Sequence, residues 1–355
     1  MHRLESLDWL RGLMALAILV YHSAVFADLG WQTDASSVLG RLGIYGVSIF
    51  FVLSGLSMAH VYHAAMSDAQ AVKRFWVRRA FRILPLMALV VGAMAAMAVA
   101  RGSPYSLWDV FINATGLFGF ISPSNYIPVG AWSIGNEMVF YAITPALLFA
   151  YAASARVGDV ITLATVAIAV VFAFYLLVPD IALADQWDLY VNPFNNIFLY
   201  CAGVAMFYHF SEWKPSKLWR LAIIISPIVV FTLWPATGNQ VSIVTGVGRV
   251  GFSLIAVLAV LSFYRAALSL PLWLATPLEW LGKKISYGVY LIHPFAISIV
   301  RRLPGGIIDY PTVFVLCVAL ITIAVSFVVY FLLEMPMMRL GKGLTSARVS
   351  PAASA

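Results

Sequence analysis

Two residues in the first apolar stretch have the types and spacing to act together. Arg11 stands at its edge, in Asp8-Trp9-Leu10-Arg11-Gly12, and His22 stands eleven residues further on, in Val20-Tyr21-His22-Ser23. On an α-helix eleven steps of about 100° return to within roughly 20° and rise about 16 Å. One face of one helix therefore carries both, too far apart to touch. A histidine can take a proton from a hydroxyl at neutral pH, and an ionisable group within an apolar helix points to a site. Arg11 as an interfacial anchor and His22 as a polar side chain bonded to a neighbouring helix fit the same spacing.

Three further groups have chemistry to offer. In Lys73-Arg74-Phe75-Trp76-Val77-Arg78-Arg79-Ala80-Phe81-Arg82, Arg74, Arg78 and Arg82 fall at i, i+4 and i+8, with Arg79 one turn before Arg82. Guanidinium forks grip phosphates bidentately, so this face suits a polyphosphorylated, nucleotide-like ligand. Setting membrane topology and touching anionic lipid is the competing use of the same charges. Glu137, in Trp132-Ser133-Ile134-Gly135-Asn136-Glu137-Met138, can serve as a base, orient a histidine, or stay neutral. His293, three residues after Tyr290, can line the same cavity as His22 or bond a neighbouring helix.

The elements that must position these groups are membrane helices. The 355 residues are 62% hydrophobic and 10% charged, against about 25% charge in a soluble domain. Apolar runs long enough to cross a bilayer fall near 10–27, 42–62, 83–100, 132–152, 159–178, 194–210, 219–235, 246–264, 285–303 and 312–333. The reading is an all-α polytopic membrane protein of about ten spans, one integral-membrane domain over 1–345 and a polar tail over 346–355. The stretch from Ser103 to Gly130, broken by Pro104, Pro123 and Pro128, reads as a partly embedded loop rather than another span. Val25-Phe26-Ala27 resembles a signal-peptidase site, but cleavage would remove Arg11 and His22, so the first segment is read as retained.

Charge placement orients the chain. With the N-terminus inside, 17 of the 22 Lys and Arg residues lie on the inner side and 5 on the outer, which makes both termini cytoplasmic. The net charge of +7 thus follows topology and forms no aromatic-interleaved basic stripe for nucleic acid. Cys201 and Cys317 sit singly in apolar runs, so neither a disulfide framework nor a metal site is expected. His22, Glu137 and His293 all fall at middle depth on three separate helices.

Taken together, these stretches resemble the integral-membrane acyltransferase 3 family. The residues that carry the resemblance are Leu7-Asp8-x-Leu10-Arg11-Gly12 with His22; Phe50-Phe51-Val52-Leu53-Ser54-Gly55; Arg79-x-x-Arg82-Ile83-x-Pro85; Trp132-Ser133 to Glu137-x-x-Phe140-Tyr141; Ser286-Tyr287-Gly288-Val289-Tyr290-Leu291-x-His293-Pro294; and Glu334-x-Pro336. They stand in the family's order across about residues 4 to 342. Asn136 and Met138 flank Glu137 where the commoner form carries a second carboxylate.

The resemblance implies transfer of an acyl group, acetyl foremost, from acyl-CoA to a hydroxyl of a carbohydrate or glycan, in the cytoplasmic membrane and with no bound cofactor. By similarity His22 is the catalytic residue with Arg11 its motif partner, and Arg79 and Arg82, with Arg78 beside them, face the donor. Glu137 is expected to orient or stabilise the His22 imidazolium. His293, Tyr290 and Trp132 are the candidates on the substrate side. Asp8 is expected to pair with Arg11 or cap its helix, and Glu334 to pair with Arg339 or another interfacial cation. The appended esterase-like domain of some relatives is not expected in these residues, so the acceptor is handled by the spans or by another protein. The competing class is a transporter of an acylated product, with His and Glu as a proton relay. It predicts internal repeats or paired broken helices, and neither is visible in the sequence.

Overall fold

In the computed structural model, which describes residues 5–66, 68–304 and 306–345, every regular element is helical. The first half comprises α1 (Glu5–Phe26), α2 (Val38–Tyr62), α3 (Ala69–Ala100), α4 (Leu107–Ala114), α5 (Phe118–Ile121), α6 (Trp132–Ala153), α7 (Ala155–Val171) and α8 (Trp187–Tyr190). The second comprises α9 (Pro193–Phe210), α10 (Lys217–Leu233), α11 (Val241–Val244), α12 (Gly246–Arg265), α13 (Leu272–Trp280), α14 (Ser286–Val300), α15 (Pro311–Val329) and α16 (Met335–Thr345). Every span expected from hydropathy is helical. Seven helices, counting α7 and α15 with their continuations, are long and apolar enough to cross a membrane. The helices at 194–210, 219–235 and 285–303 fall short of that test in length or hydropathy. The polar tail 346–355 lies outside the described residues.

Sequence chemistry sets the helix starts. Ser37 and Asp68 accept hydrogen bonds from the backbone N–H groups of Gly40 and Ala71, capping α2 and α3. Asn192 caps α9, with Pro193 at the first helical position, where its missing N–H leaves no bond unmade. The centre of the bundle is the crossing of α2 and α9. Gly55 and Gly203 let the two backbones touch, because a Cβ at Gly55 would lie 2.0 Å from the Tyr200 carbonyl oxygen. Val160, Leu163, Leu320 and Leu332, on the outer helices, point their side chains outward, as lipid-facing residues do.

Hydrogen bonds tie alternate loops to opposite ends of the bundle. At one end Arg301 donates to Phe26 O, Gln240 to Tyr21 and Thr33, and Trp187 to Tyr126. At the other, Arg265 donates to Trp213 O, His209 meets Asp159 at 2.7 Å, and Arg78 bonds Thr345. Two arginines counted as outer charge, Arg41 and Arg249, are each only 2% exposed. They are inside the protein rather than at the surface, so neither belongs in a count of loop charge.

The segment from Ser103 to Gly130 forms α4, α5 and turns instead of a span. Asn113, fully buried, holds it together by donating to Asp109 O and Asn125 O and accepting from Ile127 N–H. Gly119 of α5 packs on Gly135 of α6, which seats this cap on the start of the helix that carries Glu137.

Candidate active site

A cavity of about 510 Å³ opens among α1, α2, α3, α6 and α14. Arg11, Ser54, Ser57, His60, Arg79, Arg82, Glu137, Tyr141, Tyr287 and Tyr290 line it, with apolar Leu7, Val47, Phe50, Phe51 and Ile83. Val61, at its edge, is 49% exposed. Five helices thus deliver three guanidinium groups and two carboxylates, Asp8 and Glu137, to one space.

Each arginine has its own set of contacts. Arg11 Nη1 donates to Asp8 Oδ1 at 2.8 Å, one turn earlier on α1, and Nη2 donates to Ser57 Oγ on α2. The expected pairing of Asp8 with Arg11 is therefore present. Arg79 lies over the rings of Tyr62 and Tyr141, at 5.7 and 5.9 Å, and its Nη2 reaches the Tyr62 hydroxyl at 3.4 Å. Its Nε is buried and makes no hydrogen bond among the described residues. Arg82 touches Met338 Sδ at 3.8 Å. Two guanidinium groups thus line the cavity with hydrogen-bond donors left unused among the described residues.

The arginine face differs from the i, i+4, i+8 reading. The lining pair is Arg79 and Arg82, at i and i+3, and Arg78 does not join it. Arg78 lies about 100° round α3 from Arg79 and bonds Thr345 Oγ1 on α16 at 3.0 Å, outside the cavity. Trp132 is likewise displaced from the substrate side. It is buried among Phe51, Trp187 and Tyr190, and its neighbours Ser133 and Ile134 line the cavity instead.

Glu137 belongs to the arginine side. Its Oε2 accepts from the Tyr141 hydroxyl at 3.2 Å, Tyr141 meets Ser54 Oγ at 3.2 Å, and Arg79 and Arg82 are its cationic neighbours. The expectation that it orients His22 is corrected, because the partner of His22 is His293. His22 Nδ1 and His293 Nε2 lie 2.7 Å apart, with ring centroids 5.0 Å apart and planes inclined by 10°. Phe26 stacks on His22 at 4.9 Å.

The histidine pair stands just past the cavity. Tyr290 connects them, since its ring is 6.1 Å from His293 and its hydroxyl lies in the cavity wall. That hydroxyl donates to Gly130 O and accepts from Ser133 Oγ, both at 2.9 Å. Of the two uses read for His293, the structure displays the bond to a neighbouring helix.

For Glu334, expected beside Arg339 or another cation, the cationic neighbour is Arg82. Glu334 is 4% exposed, beside Gly288 and Arg82, and Arg339 is not its partner. A π-helical turn over Tyr330–Glu334 adds a residue to this part of the helix and turns Glu334 inward. Sequence reasoning missed Ser57 and His60. Their signal was present, because Ser54, Ser57 and His60 recur at i, i+3 and i+6 along an otherwise apolar helix.

Comparison with known proteins bears on this arrangement. The family described as "Acyltransferase domain" matches residues 4–331. The chain is 25% identical over 320 residues to the peptidoglycan O-acetyltransferase OatA of Listeria monocytogenes, covering 81% of this chain and 48% of that protein. It is 27% identical over 332 residues to the putative peptidoglycan O-acetyltransferase YrhL of Bacillus subtilis, covering 82% and 48%. Nodulation protein 10 of Rhizobium leguminosarum is 25% identical over 387 residues, with 99% of this chain and 97% of that protein covered. The chain therefore spans about half the length of the two peptidoglycan relatives and nearly all of the nodulation protein. No solved structure matches it. A match from residue 4 to residue 331 takes in every helix that lines the cavity and both histidines, and the chain belongs to this acyltransferase family.

Proposed function

We propose that the chain is a multi-pass enzyme of the cytoplasmic membrane, both termini inside, that moves an acyl group from acyl-CoA to a hydroxyl of a carbohydrate or glycan. Acetyl is the expected group, and His22 the base. The observation that carries this reading is an arginine-rich cavity that ends at Tyr290, one helical turn before the His22–His293 pair. Relatives named as peptidoglycan O-acetyltransferases support a glycan hydroxyl as acceptor.

The roles follow from placement. Arg79 and Arg82 hold the donor's phosphates, and Arg11, fixed by Asp8 and Ser57, supplies a third positive group in the same cavity. Glu137, a neighbour of Arg79 and Arg82, offsets part of their charge on the donor side. The thioester end of the donor points along the cavity toward Tyr290 and the histidines. A sugar hydroxyl is a weak nucleophile, so His22 takes its proton as the oxygen attacks the thioester carbonyl. The C–S bond then breaks, and the proton passes from the imidazolium to the departing thiolate.

The test is CoA release from acetyl-CoA by the detergent-purified protein and by a folded His22→Ala variant, with muropeptides and chitotetraose as acceptors. Acceptor-stimulated release that disappears in the variant supports the reading. Retained turnover in His22→Ala removes His22 from the mechanism. Absence of both release and acetyl-CoA binding would move the assignment to a carrier of acylated glycan.

A further inference from the structure

Resting on the reading of His22 as the base, we infer that His293 is a positioning residue: it holds His22 with the proton on Nδ1 and the lone pair on Nε2. The argument begins in the sequence of α14. Pro294 has no N–H and cannot close the helical hydrogen bond to the Tyr290 carbonyl. This turn therefore keeps a spare acceptor beside the His293 ring, and the Val289 and Tyr290 carbonyls are the backbone partners of that ring. His293 Nδ1 lies 3.1 Å from Val289 O.

A carbonyl oxygen only accepts, so His293 Nδ1 carries the hydrogen. In the neutral ring the other nitrogen then presents a lone pair. That nitrogen, Nε2, is the one 2.7 Å from His22 Nδ1, so His22 is the donor across the pair. His22 in turn keeps its Nε2 lone pair free. The ring geometry agrees. A 2.7 Å N···N contact, centroids 5.0 Å apart and planes within 10° put the imidazoles end to end in nearly one plane. In that arrangement an N–H and an in-plane lone pair meet head on.

The consequence is a chain of fixed polarity, running from His22 Nδ1–H to His293 Nε2 and from His293 Nδ1–H to the helix carbonyl. It does for His22 what a carboxylate does for the histidine of a serine-hydrolase triad, which is to choose the tautomer and aim the ring. When His22 Nε2 takes the hydroxyl proton, the new positive charge is shared through Nδ1–H with His293. When the proton leaves for the thiolate, the pair returns to its starting tautomers.

The test is solid-state NMR of ¹³C,¹⁵N-histidine-labelled full-length protein in liposomes, with His22 signals assigned by their loss in His22→Ala. The expected result is a protonated Nδ1 and a bare Nε2 on His22. Replacement by His293→Leu should move the proton to Nε2. His22 found with its proton on Nε2 in the unaltered protein overturns the inference.

Kinetics supply the second arm, with acetyl-CoA as donor and chitotetraose as acceptor. His293→Leu should lower kcat by about 100-fold or more, the range for mispositioning a catalytic histidine, at unchanged KM for acetyl-CoA. His293→Gln, whose amide oxygen can accept from His22 and whose NH₂ can reach the helix carbonyls, should regain at least about tenfold over His293→Leu. A His293→Leu protein within threefold of normal kcat, or equal impairment of both variants, sinks the positioning role. Turnover by His22→Ala would sink the assignment of the base instead, and the NMR result stands apart from it.

Discussion

The Glu137 carboxylate accepts from the Tyr141 hydroxyl at 3.2 Å, one turn along the same helix, and faces Arg79 and Arg82 instead of His22. The only carboxylate in this stretch therefore belongs to the arginine side of the cavity, and the histidines make their own network. Glu137→Gln should change the apparent KM for acyl-CoA more than kcat, because it removes a negative charge beside two guanidinium groups and leaves His22 untouched. Steady-state kinetics beside His22→Ala would check this. A loss of kcat as deep as that of His22→Ala would return Glu137 to the proton-transfer step.

Arg79, Arg82 and Arg78 form a control series within one helix. A hydrogen bond to a charged group contributes about 1.5–3 kcal/mol, so Arg79→Ala or Arg82→Ala should raise the acyl-CoA KM by roughly 10- to 100-fold. Arg78→Ala loses only its bond to Thr345 and should leave KM within about twofold. Isothermal titration with CoA would report the same order without an acceptor. Equal effects at all three positions would favour a general charge requirement over a built site.

The α2–α9 crossing should be intolerant of a single methyl group. In Gly55→Ala the new Cβ would stand 2.0 Å from the Tyr200 carbonyl oxygen, so the backbones must separate, at a cost of about 1–3 kcal/mol or more. Gly92→Ala, in α3 where nothing lies within 4 Å, should be neutral or slightly stabilising. Thermal-aggregation midpoints in one detergent would show the contrast.

Arg41 fastens the start of α2 to the end of α10. Its guanidinium donates to the carbonyls of Ala35, Phe231, Thr232 and Trp234 at 2.5–3.0 Å, from a position 2% exposed. Arg41→Met should leave several buried acceptors unpaired, at about 1–3 kcal/mol each, and lower the unfolding midpoint markedly. Arg301→Met, which loses one exposed bond to Phe26 O, should change it little. Similar midpoints for the two variants would show that Arg41 is dispensable.

Much of the fold was readable before any coordinates. Helix existence rests on local hydrophobicity and on caps such as Ser37 and Asp68, and each expected span falls in a helix, although α3 begins at Ala69, well before the span read from 83. The Pro-broken segment from Ser103 to Gly130 forms no span, as its sequence indicates, although the part played by Asn113 in organising it had no local signal. The π-helical turn before Met335 was invisible, and it is what brings Glu334 inward to Arg82.

The site divides along the same line. The residue types, and the sharing of a face by Arg11 and His22, follow from the 3.6-residue period, because both residues belong to one rigid element. The partner of His22 does not follow, because it lies 271 residues away on another helix. Glu137 and His293 were both at suitable depth, and depth is all that a linear count gives. The choice between them depends on how α1, α6 and α14 rotate about their own axes when packed. That rotation is set by contacts such as Gly55 on Tyr200 and Gly12 on Leu278, which exist only once helices distant in sequence have met. The choice of Arg79 over Arg78 has the same origin: adjacent residues point about 100° apart, and packing alone decides which of the two faces the cavity.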